Sequence, residues 1–316
     1  SVSPLAAAAL PMEVDAEPLA ATVRAAARLL EKHYVFPDKG EAMARHVREQ
    51  LESGAHDAIT DEATLAARLT KDFRSISNDK HLRIRLSPAP DPLAMSSSTS
   101  PAAPAGVPPA MRGNNSGFKR VEVLEGNIGY VRFDFFEDSE DARQTAAAAM
   151  AFVSRCNAVI FDMRRNGGGS PEMVRFITSY LVDERTHLND MVDRKGRTVE
   201  EFWTLDDVPG RRLGAKLPVF VLTSSYTFSG AEEFTYNLKS LKRAMVVGQT
   251  TGGGAHPVRG ARVDDRFVMM IPYMRARNPI TQTNWEGTGV APDLACSADE
   301  ALDRAHEAAM RAIAEE

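Results

Sequence analysis

The stretch from Ala158 to Ser170 reads Ala-Val-Ile-Phe-Asp-Met-Arg-Arg-Asn-Gly-Gly-Gly-Ser and gives the strongest indication of the fold. Its first six residues are almost continuously apolar, which is typical of a short strand buried on both faces of a sheet. The glycines remove every side chain from the loop that follows, and a helix is predicted from Pro171. Backbone N–H groups in such a loop can face a phosphate or an oxyanion. The spacing fits neither a dinucleotide-binding fingerprint nor a P-loop, and an ordinary tight turn would also explain it.

Strands alternate with helices from residue 117 onwards. Further buried strands are predicted at 218–223 and 245–248, and hairpins at 121–133 and 263–271. The predicted helices are 138–155, 171–181, 230–241 and 298–316. Repeated strand–loop–helix units indicate a mostly parallel or mixed sheet covered by helices, and therefore an α/β fold.

The part of the chain before residue 87 has a different pattern. Residues 17–86 predict three helices followed by one half-buried strand at 82–86. Seven of the 18 prolines then fall within residues 87–116, among Ser, Ala and Gly, which is typical of an extended linker. The sequence thus predicts a mainly helical N-terminal domain over 1–86, a linker over 87–116 and a larger α/β domain over 117–316.

Composition excludes several classes of protein. The chain has 38 Lys and Arg against 43 Asp and Glu, a formal charge of −5, which argues against a nucleic-acid or anionic-membrane surface. No apolar run approaches the length of a membrane span, and Leu5–Leu10 is too short and lacks the basic flank of an intact signal peptide. Two cysteines, Cys156 and Cys296, cannot form a disulfide framework or a four-thiolate metal site, and the sequence leaves open whether they pair. No ligand spacing predicts a metal, and no cofactor is expected.

A serine in Thr223–Glu232 is a candidate nucleophile. Ser229 follows a predicted strand and a tight turn, and it precedes a helix that begins with Gly230. A serine there can project its hydroxyl, and the next N–H can stabilise an oxyanion. The same position would equally suit a simple helix N-cap.

A serine nucleophile needs a base, and two of the seven histidines are candidates. His81 follows a turn and begins a strand, while His256 follows the Gly-rich loop after Thr251. The remaining histidines lie on predicted helices or polar loops and are expected at the surface; they are His33, His46, His56, His187 and His306. Glu286, in a Gly/Pro-rich loop, could orient an imidazole.

Taken together, these residues resemble the tail-specific, or C-terminal processing, serine proteases. The closest branch contains the tricorn protease core and the interphotoreceptor retinoid-binding protein repeats. The resemblance covers Tyr34–Pro37, Asp79–His81 and nearly everything from Gly126 to Ala301. Its motifs are Asp162-Met-Arg-Arg-Asn-Gly-Gly-Gly169, Ser229-Gly-Ala-Glu232, Val247-Gly-Gln-Thr-Thr-Gly252 and Glu286-Gly-Thr-Gly-Val-Ala-Pro-Asp293. Four motifs in the right order are a far more specific signal than any one of them.

The resemblance implies roles for individual residues. The nucleophile falls on Ser229, and the oxyanion donors fall on the N–H groups of Gly230 and Gly168. The processing proteases proper use a lysine base, but that position is Gly254 here and no lysine follows Lys242.

A Ser–Lys dyad is therefore not expected. In the tricorn-like branch a glutamate positions the catalytic histidine through a further serine. The resemblance places the histidine at His81 and the glutamate at Glu286. Lys80 stands at the position of that serine, which leaves the fourth member of the arrangement unfilled. His256 is the reserve candidate for the base.

The resemblance also implies a fold and a function. It predicts a crotonase-like or ClpP-like βαβ spiral core with a small helical N-terminal domain, and the 87–116 interval is too short for the PDZ domain that many members carry. The implied function is a serine peptidase acting through an acyl-enzyme on Ser229, exported to a periplasm or the cell exterior. Two alternatives stay open: a carrier of a retinoid or fatty acid on the same scaffold, and an esterase or amidase with a non-peptide substrate. The oligomeric state is not specified by the sequence.

Overall fold

The computed structural model describes residues 16–87 and 114–315. The helices in these ranges are α1 (Ala16–His33), α2 (Pro37–Glu52), α3 (Glu62–Ser77), α4 (Glu140–Val153), α5 (Pro171–Thr178), α6 (Gly230–Ser240) and α7 (Ala301–Ala314). The strands are β1 (Arg83–Leu86), β2 (Phe118–Leu124), β3 (Ile128–Phe133), β4 (Ala158–Asp162), β5 (His187–Asp193), β6 (Thr198–Trp203), β7 (Val219–Thr223), β8 (Met245–Gly248), β9 (Val258–Arg262), β10 (Phe267–Pro272), β11 (Met274–Arg277) and β12 (Leu294–Ala295). Apart from its ends, the predicted linker 87–116 lies outside the described residues, as does Leu5–Leu10.

The chain divides into two compact units. The first contains the described residues up to 87 together with 257–274, and the second contains 114–256 and 275–315. The segment 257–274, predicted as part of the α/β domain, lies in the first unit with the helices. Its strand β10 pairs with β1, so the main-chain hydrogen bonds of the small unit are completed by residues from late in the chain.

The first unit packs three helices against a small antiparallel sheet. The strand order is β1-β10-β9, and all three predicted helices are present. The Asp61 carboxylate begins α3 by accepting the Thr64 N–H at 2.8 Å, as an N-cap should. The predicted 263–271 hairpin is misplaced, since its first strand is 258–262 and residues 263–266 form the turn. Met269 and Ile271 are fully buried in the core of this unit.

The second unit is built on a six-stranded mixed sheet in the order β12-β8-β7-β4-β3-β2. All neighbouring pairs are parallel except β2 with β3, which form the predicted hairpin. One apolar core lies between the sheet and α4, α5 and α6, and another lies under α7. The predicted α/β class with a central mixed sheet is therefore confirmed. Because Asp162 of β4 pairs with Leu222 of β7, the loops that follow these strands leave the sheet side by side.

A second sheet in this unit, with the order β11-β5-β6, was not predicted. His187, expected in a charged loop, begins β5 and stacks on Trp203 with ring centroids 4.3 Å apart. The predicted surface position of His56, which lies in the first unit, is also wrong, because its side chain is fully buried beside Asp72. Both cysteines are free. No helix in residues 16–87 or 114–315 has the length and apolarity to cross a bilayer.

Candidate active site

Ser229 lies at the turn between β7 and α6, with its side chain partly exposed. Its backbone adopts φ +54° and ψ −120°, a region that L-residues other than glycine rarely occupy. An ordinary N-cap serine has an extended backbone, so capping alone does not account for this conformation. The Thr227 hydroxyl stabilises the turn by donating to the Met163 carbonyl at 2.8 Å.

The glycine loop after β4 lies directly against the Ser229 turn. A Cβ atom at Gly168, where φ is +106°, would lie 2.7 Å from the Ser229 Cβ and 2.8 Å from the Gly230 nitrogen. A Cβ at Gly169, where φ is +138°, would lie 2.2 Å from the Phe136 carbonyl oxygen. Only glycine satisfies both the backbone angles and these approaches.

Asn166 ties the two loops together. Its buried side chain accepts the Gly168 N–H on Oδ1 at 2.8 Å and donates from Nδ2 to the Phe133 carbonyl at 2.9 Å. Its carbonyl oxygen accepts the Phe228 N–H at 3.2 Å. The predicted oxyanion donor Gly168 therefore has its N–H directed at the Asn166 side chain.

Glu232 is a buried carboxylate that binds donors from two loops. It accepts the Ser229 N–H at 2.8 Å, the Thr251 hydroxyl at 2.5 Å, and the N–H groups of Gly253 and Gly254 at 2.6 and 2.8 Å. Burial raises the pKa of Glu232 above its usual value, and the hydrogen bonds from these four donors oppose that rise. This one side chain connects the Ser229 turn to the loop that leads to His256.

Glu286 and His256 lie close together in the second unit. Glu286 Oε2 accepts the Ala255 N–H at 2.6 Å and lies 3.5 Å from Nδ1 of the buried His256. The neighbouring Trp285 donates from Nε1 to the Gly254 carbonyl at 2.7 Å, which anchors the Glu286 loop to the glycine loop. The structure thus brings a carboxylate and an imidazole together, as expected for an orienting pair.

His81 lies in the first unit, in a tightly held turn. Its N–H donates to Asp79 Oδ1 at 3.0 Å, and the Tyr34 hydroxyl donates to Asp79 Oδ2 at 3.1 Å. The His81 residue is 9% exposed. The turn begins at Asn78, whose left-handed backbone ends α3.

Within the second unit, Ser229, Gly168 and Gly230 form one group, and His256 and Glu286 form another. Glu232, which links the two groups, lies in the Ser229-Gly-Ala-Glu232 motif, and the sequence predicts no role for it. The Ser-x-x-Glu spacing of a capping box was the available signal. Asn166 had no comparable signal, because its role depends on the Phe133 carbonyl and the Phe228 N–H, which belong to other segments of the chain.

Comparisons with known proteins identify the family of the chain. The model of peptidase family S41 matches residues 127–296, and that of the N-terminal domain of peptidase S41 in eukaryotic IRBP matches residues 15–123. The chloroplastic carboxyl-terminal-processing peptidase 2 of Arabidopsis thaliana is 26% identical over 167 residues, 52% of this chain and 31% of that protein. The chain thus spans about a third of the length of the curated relatives it matches.

Two solved structures illustrate the shared fold. The photosystem II D1 C-terminal processing protease is 15% identical, with a TM-score of 0.53 over 89% of this chain and 94% of that one. The tricorn protease is 13% identical, with a TM-score of 0.60 over 94% of this chain and 37% of that one. At these identities the likeness shows the fold.

Proposed function

Because the chain belongs to peptidase family S41, we propose that it is a serine peptidase that cleaves amide bonds through an acyl-enzyme on Ser229. The observation that carries the proposal is the Ser229 turn, where a partly exposed serine is held at φ +54° against a loop of glycines. Strained backbone of this kind concentrates at sites where it serves function. Here it presents a hydroxyl beside the N–H groups that begin a helix, an arrangement suited to attack on a carbonyl carbon.

In the proposed reaction, Ser229 Oγ attacks the scissile carbonyl while a base takes its proton. The oxyanion accepts N–H groups from Gly230 and Gly168. The Gly230 N–H lies in the first turn of α6, where N–H groups have no intrahelical acceptor. The Gly168 N–H donates to Asn166 Oδ1, so the oxyanion would share this donor with the Asn166 amide. The protonated base then donates its proton to the amine, which leaves. Water hydrolyses the remaining ester on Ser229.

We propose that the base is a histidine steadied by Glu286. The resemblance assigns this role to His81, and His256 is the reserve. Contact supports the reserve candidate directly, since Glu286 Oε2 lies 3.5 Å from His256 Nδ1. A carboxylate beside an imidazole holds its tautomer and stabilises the imidazolium that forms during proton transfer.

The nucleophile is tested by Ser229→Ala with Ser225→Ala as its matched control. Ser225 lies in the same turn and is exposed. We expect Ser229→Ala to lower kcat by about 10⁴–10⁶ and to abolish labelling by a fluorophosphonate, while Ser225→Ala keeps both. Labelling of the Ser229→Ala protein at the parent rate would disprove the assignment.

The base is tested by comparing His81→Gln with His256→Gln. The base variant should lose fluorophosphonate reactivity and hydrolysis together, because Ser229 then has no proton acceptor. His46→Gln, on α2, is the control for loss of an imidazole elsewhere. Equal and near-parental rates in both variants would contradict a histidine base.

Substrate class is tested by screening peptides and small esters side by side. A peptidase should turn over internal amide bonds in peptides, whereas an esterase would act on the esters alone. Retinoid or fatty acid that co-purifies with the chain, together with no turnover, would support a carrier and contradict the proposal.

From the resemblance we further propose a crotonase-like or ClpP-like spiral core, and export to a periplasm or the cell exterior, which fractionation of the source cells tests.

A further inference from the structure

A groove in the first unit lies between α3 and β1. It has a volume of about 740 Å³ and is lined by three cationic side chains, Lys71, Arg74 and Arg83, with the hydroxyls of Thr70 and Ser75 and the side chain of Ile84. Its volume falls within the range of roughly 300–1,000 Å³ that ligand sites occupy. Every charged residue lining this groove is basic, although the chain as a whole carries a formal charge of −5.

The groove is rigidly built. The Thr70 hydroxyl accepts the Ile84 N–H at 3.1 Å, which joins the helix wall to the strand wall. The guanidinium of Arg74 donates to the Leu82 carbonyl at 2.9 Å and to the Lys80 carbonyl at 2.6 Å. These bonds fix the Arg74 charge at the groove instead of leaving it free to swing into solvent.

The positive charges of Arg74 and Arg83 are close enough to repel each other. Burial lowers the pKa of Arg74 below its usual value, and the nearby charge of Arg83 lowers it further, with Asp79 acting in the opposite sense. Within residues 16–87 and 114–315, no ion pair neutralises Lys71, Arg74 or Arg83. The adjacent acid on α3, Asp72, pairs instead with Arg68 and His56. Clustered like charges that form no ion pair attract an anionic ligand.

We propose that this groove binds an acidic peptide segment, whose carboxylates lie against Lys71, Arg74 and Arg83. One carboxylate or phosphate would fill only a small part of about 740 Å³, so a segment with several acidic side chains suits the groove better. The hydroxyls of Thr70 and Ser75 already donate to the Ile84 and Asp72 carbonyls, so the three cationic side chains would supply the donors to the ligand. That the ligand is a peptide rests on the proposed function; the preference for carboxylates does not. In a peptidase, such a groove would favour substrates with an acidic segment.

The test is fluorescence anisotropy with the full chain carrying Ser229→Ala, so that no peptide is consumed. The probe is a labelled peptide with a run of glutamates, and its matched control has glutamines at those positions. We expect the glutamate peptide to bind more tightly, and its Kd to rise with salt, as it does for exposed ionic contacts. Lys71→Gln with Arg83→Gln should raise that Kd by about fivefold, from roughly 0.5 kcal/mol for each lost ionic contact.

The control variant is Arg24→Gln with Arg45→Gln, which removes the same charge from exposed helix positions of the same unit. It should leave the Kd within about twofold of the parent value, and circular dichroism of both variants should match the parent. Equal binding of the two peptides, or an unchanged Kd after Lys71→Gln with Arg83→Gln, would overturn the proposal. Binding of inorganic phosphate or of an oligonucleotide more tightly than the glutamate peptide would also overturn the proposal.

Hydrolysis separates this inference from the proposed function. If Ser229-dependent cleavage is found but the glutamate peptide does not bind, only the groove proposal fails. If the glutamate peptide binds as described and no peptide is cleaved, the groove proposal stands and the peptidase fails. With both correct, Lys71→Gln with Arg83→Gln should raise KM for acidic substrates, and leave kcat and the cleavage of neutral substrates unchanged.

Discussion

The Glu232 carboxylate accepts the backbone N–H of Ser229 at 2.8 Å. The same side chain accepts the N–H groups of Gly253 and Gly254 and the Thr251 hydroxyl. The position of the candidate nucleophile is therefore coupled to the loop that carries His256 through one buried group. All four partners donate to Glu232, so a carboxylate, which only accepts, is better suited to this position than any side chain that also donates.

Glu232→Gln tests this coupling. In either orientation, the amide NH₂ would face at least one of these backbone N–H groups, which then loses its acceptor. We expect the free energy of unfolding to fall by about 2 kcal/mol, which is typical of one buried unsatisfied donor. We also expect kcat to fall by up to about 100-fold, because Ser229 shifts. Urea unfolding and steady-state kinetics measure the two effects. Glu49→Gln, on the exposed face of α2, should change neither; parental kcat in Glu232→Gln would show that the coupling is not needed.

The Ser229→Gly variant should be more stable than the Ser229→Ala variant. The φ of +54° and ψ of −120° at Ser229 cost a residue with a Cβ about 1–3 kcal/mol, whereas glycine loses only about 0.5–1 kcal/mol through its freedom in the unfolded chain. Both variants lack the hydroxyl, so we expect both to be inactive and Ser229→Gly to be more stable by about 1 kcal/mol. The residues with positive φ do not include Ser225, so the order should reverse for Ser225→Gly and Ser225→Ala. The same order at both positions would mean that the Ser229 turn is not strained.

Gly168→Ala should impair both folding and activity. The new Cβ would lie within 2.8 Å of the Gly230 nitrogen, in addition to the strain of φ +106°. Gly196→Ala is the matched control, because Gly196 also has a positive φ of +80° but nothing lies within 4 Å of the added Cβ. We expect Gly196→Ala to lose about 1 kcal/mol of stability at full activity, and Gly168→Ala to lose more stability and most of its kcat/KM. Similar kinetics for the two variants would contradict the close approach of the Gly168 loop to Ser229.

Local patterns in the sequence predicted the larger elements of this fold well, for a physical reason. A strand buried on both faces, such as β4, is apolar throughout, and the amphipathic helices repeat with their own period. β5 was missed because Asn189 and Asp190 are polar and yet buried, which breaks both patterns. The pairing of β1 with β10 was missed because strand partners nearly 200 residues apart leave no trace in either local pattern.

The candidate site divides in the same way. Ser229, Gly168 and Glu286 could be predicted as candidates because each lies in a short motif with a recognisable composition. Glu232 and Asn166 act through hydrogen bonds to groups from other loops, and a single motif cannot reveal such partners. Their roles depend on the folded positions of the loops after β4 and β7, which lie side by side only in three dimensions.

Glu233, the neighbour of Glu232 on α6, should make stability depend on pH. Burial raises its pKa from 4.5 to about 7, with the nearby Asn189 amide opposing the rise and the charge of Glu172 adding to it. The folded chain therefore holds this proton more tightly than the unfolded chain does. Stability from Glu233 is then highest below pH 4.5, falls as pH rises to about 7, and stays constant above that.

Glu233→Gln removes this titration. A shift of this size corresponds to about 3 kcal/mol, so the variant should be more stable than the parent at pH 8 by up to about that amount, and the two should converge near pH 5. Urea unfolding at pH 5, 6, 7 and 8 measures the difference, which cancels the contributions of all other carboxylates. Glu49→Gln should follow the parent curve throughout. Parallel curves for Glu233→Gln and the parent would show that Glu233 is already ionised in the folded chain at pH 5, and that its burial is offset by bonds that the structure does not contain.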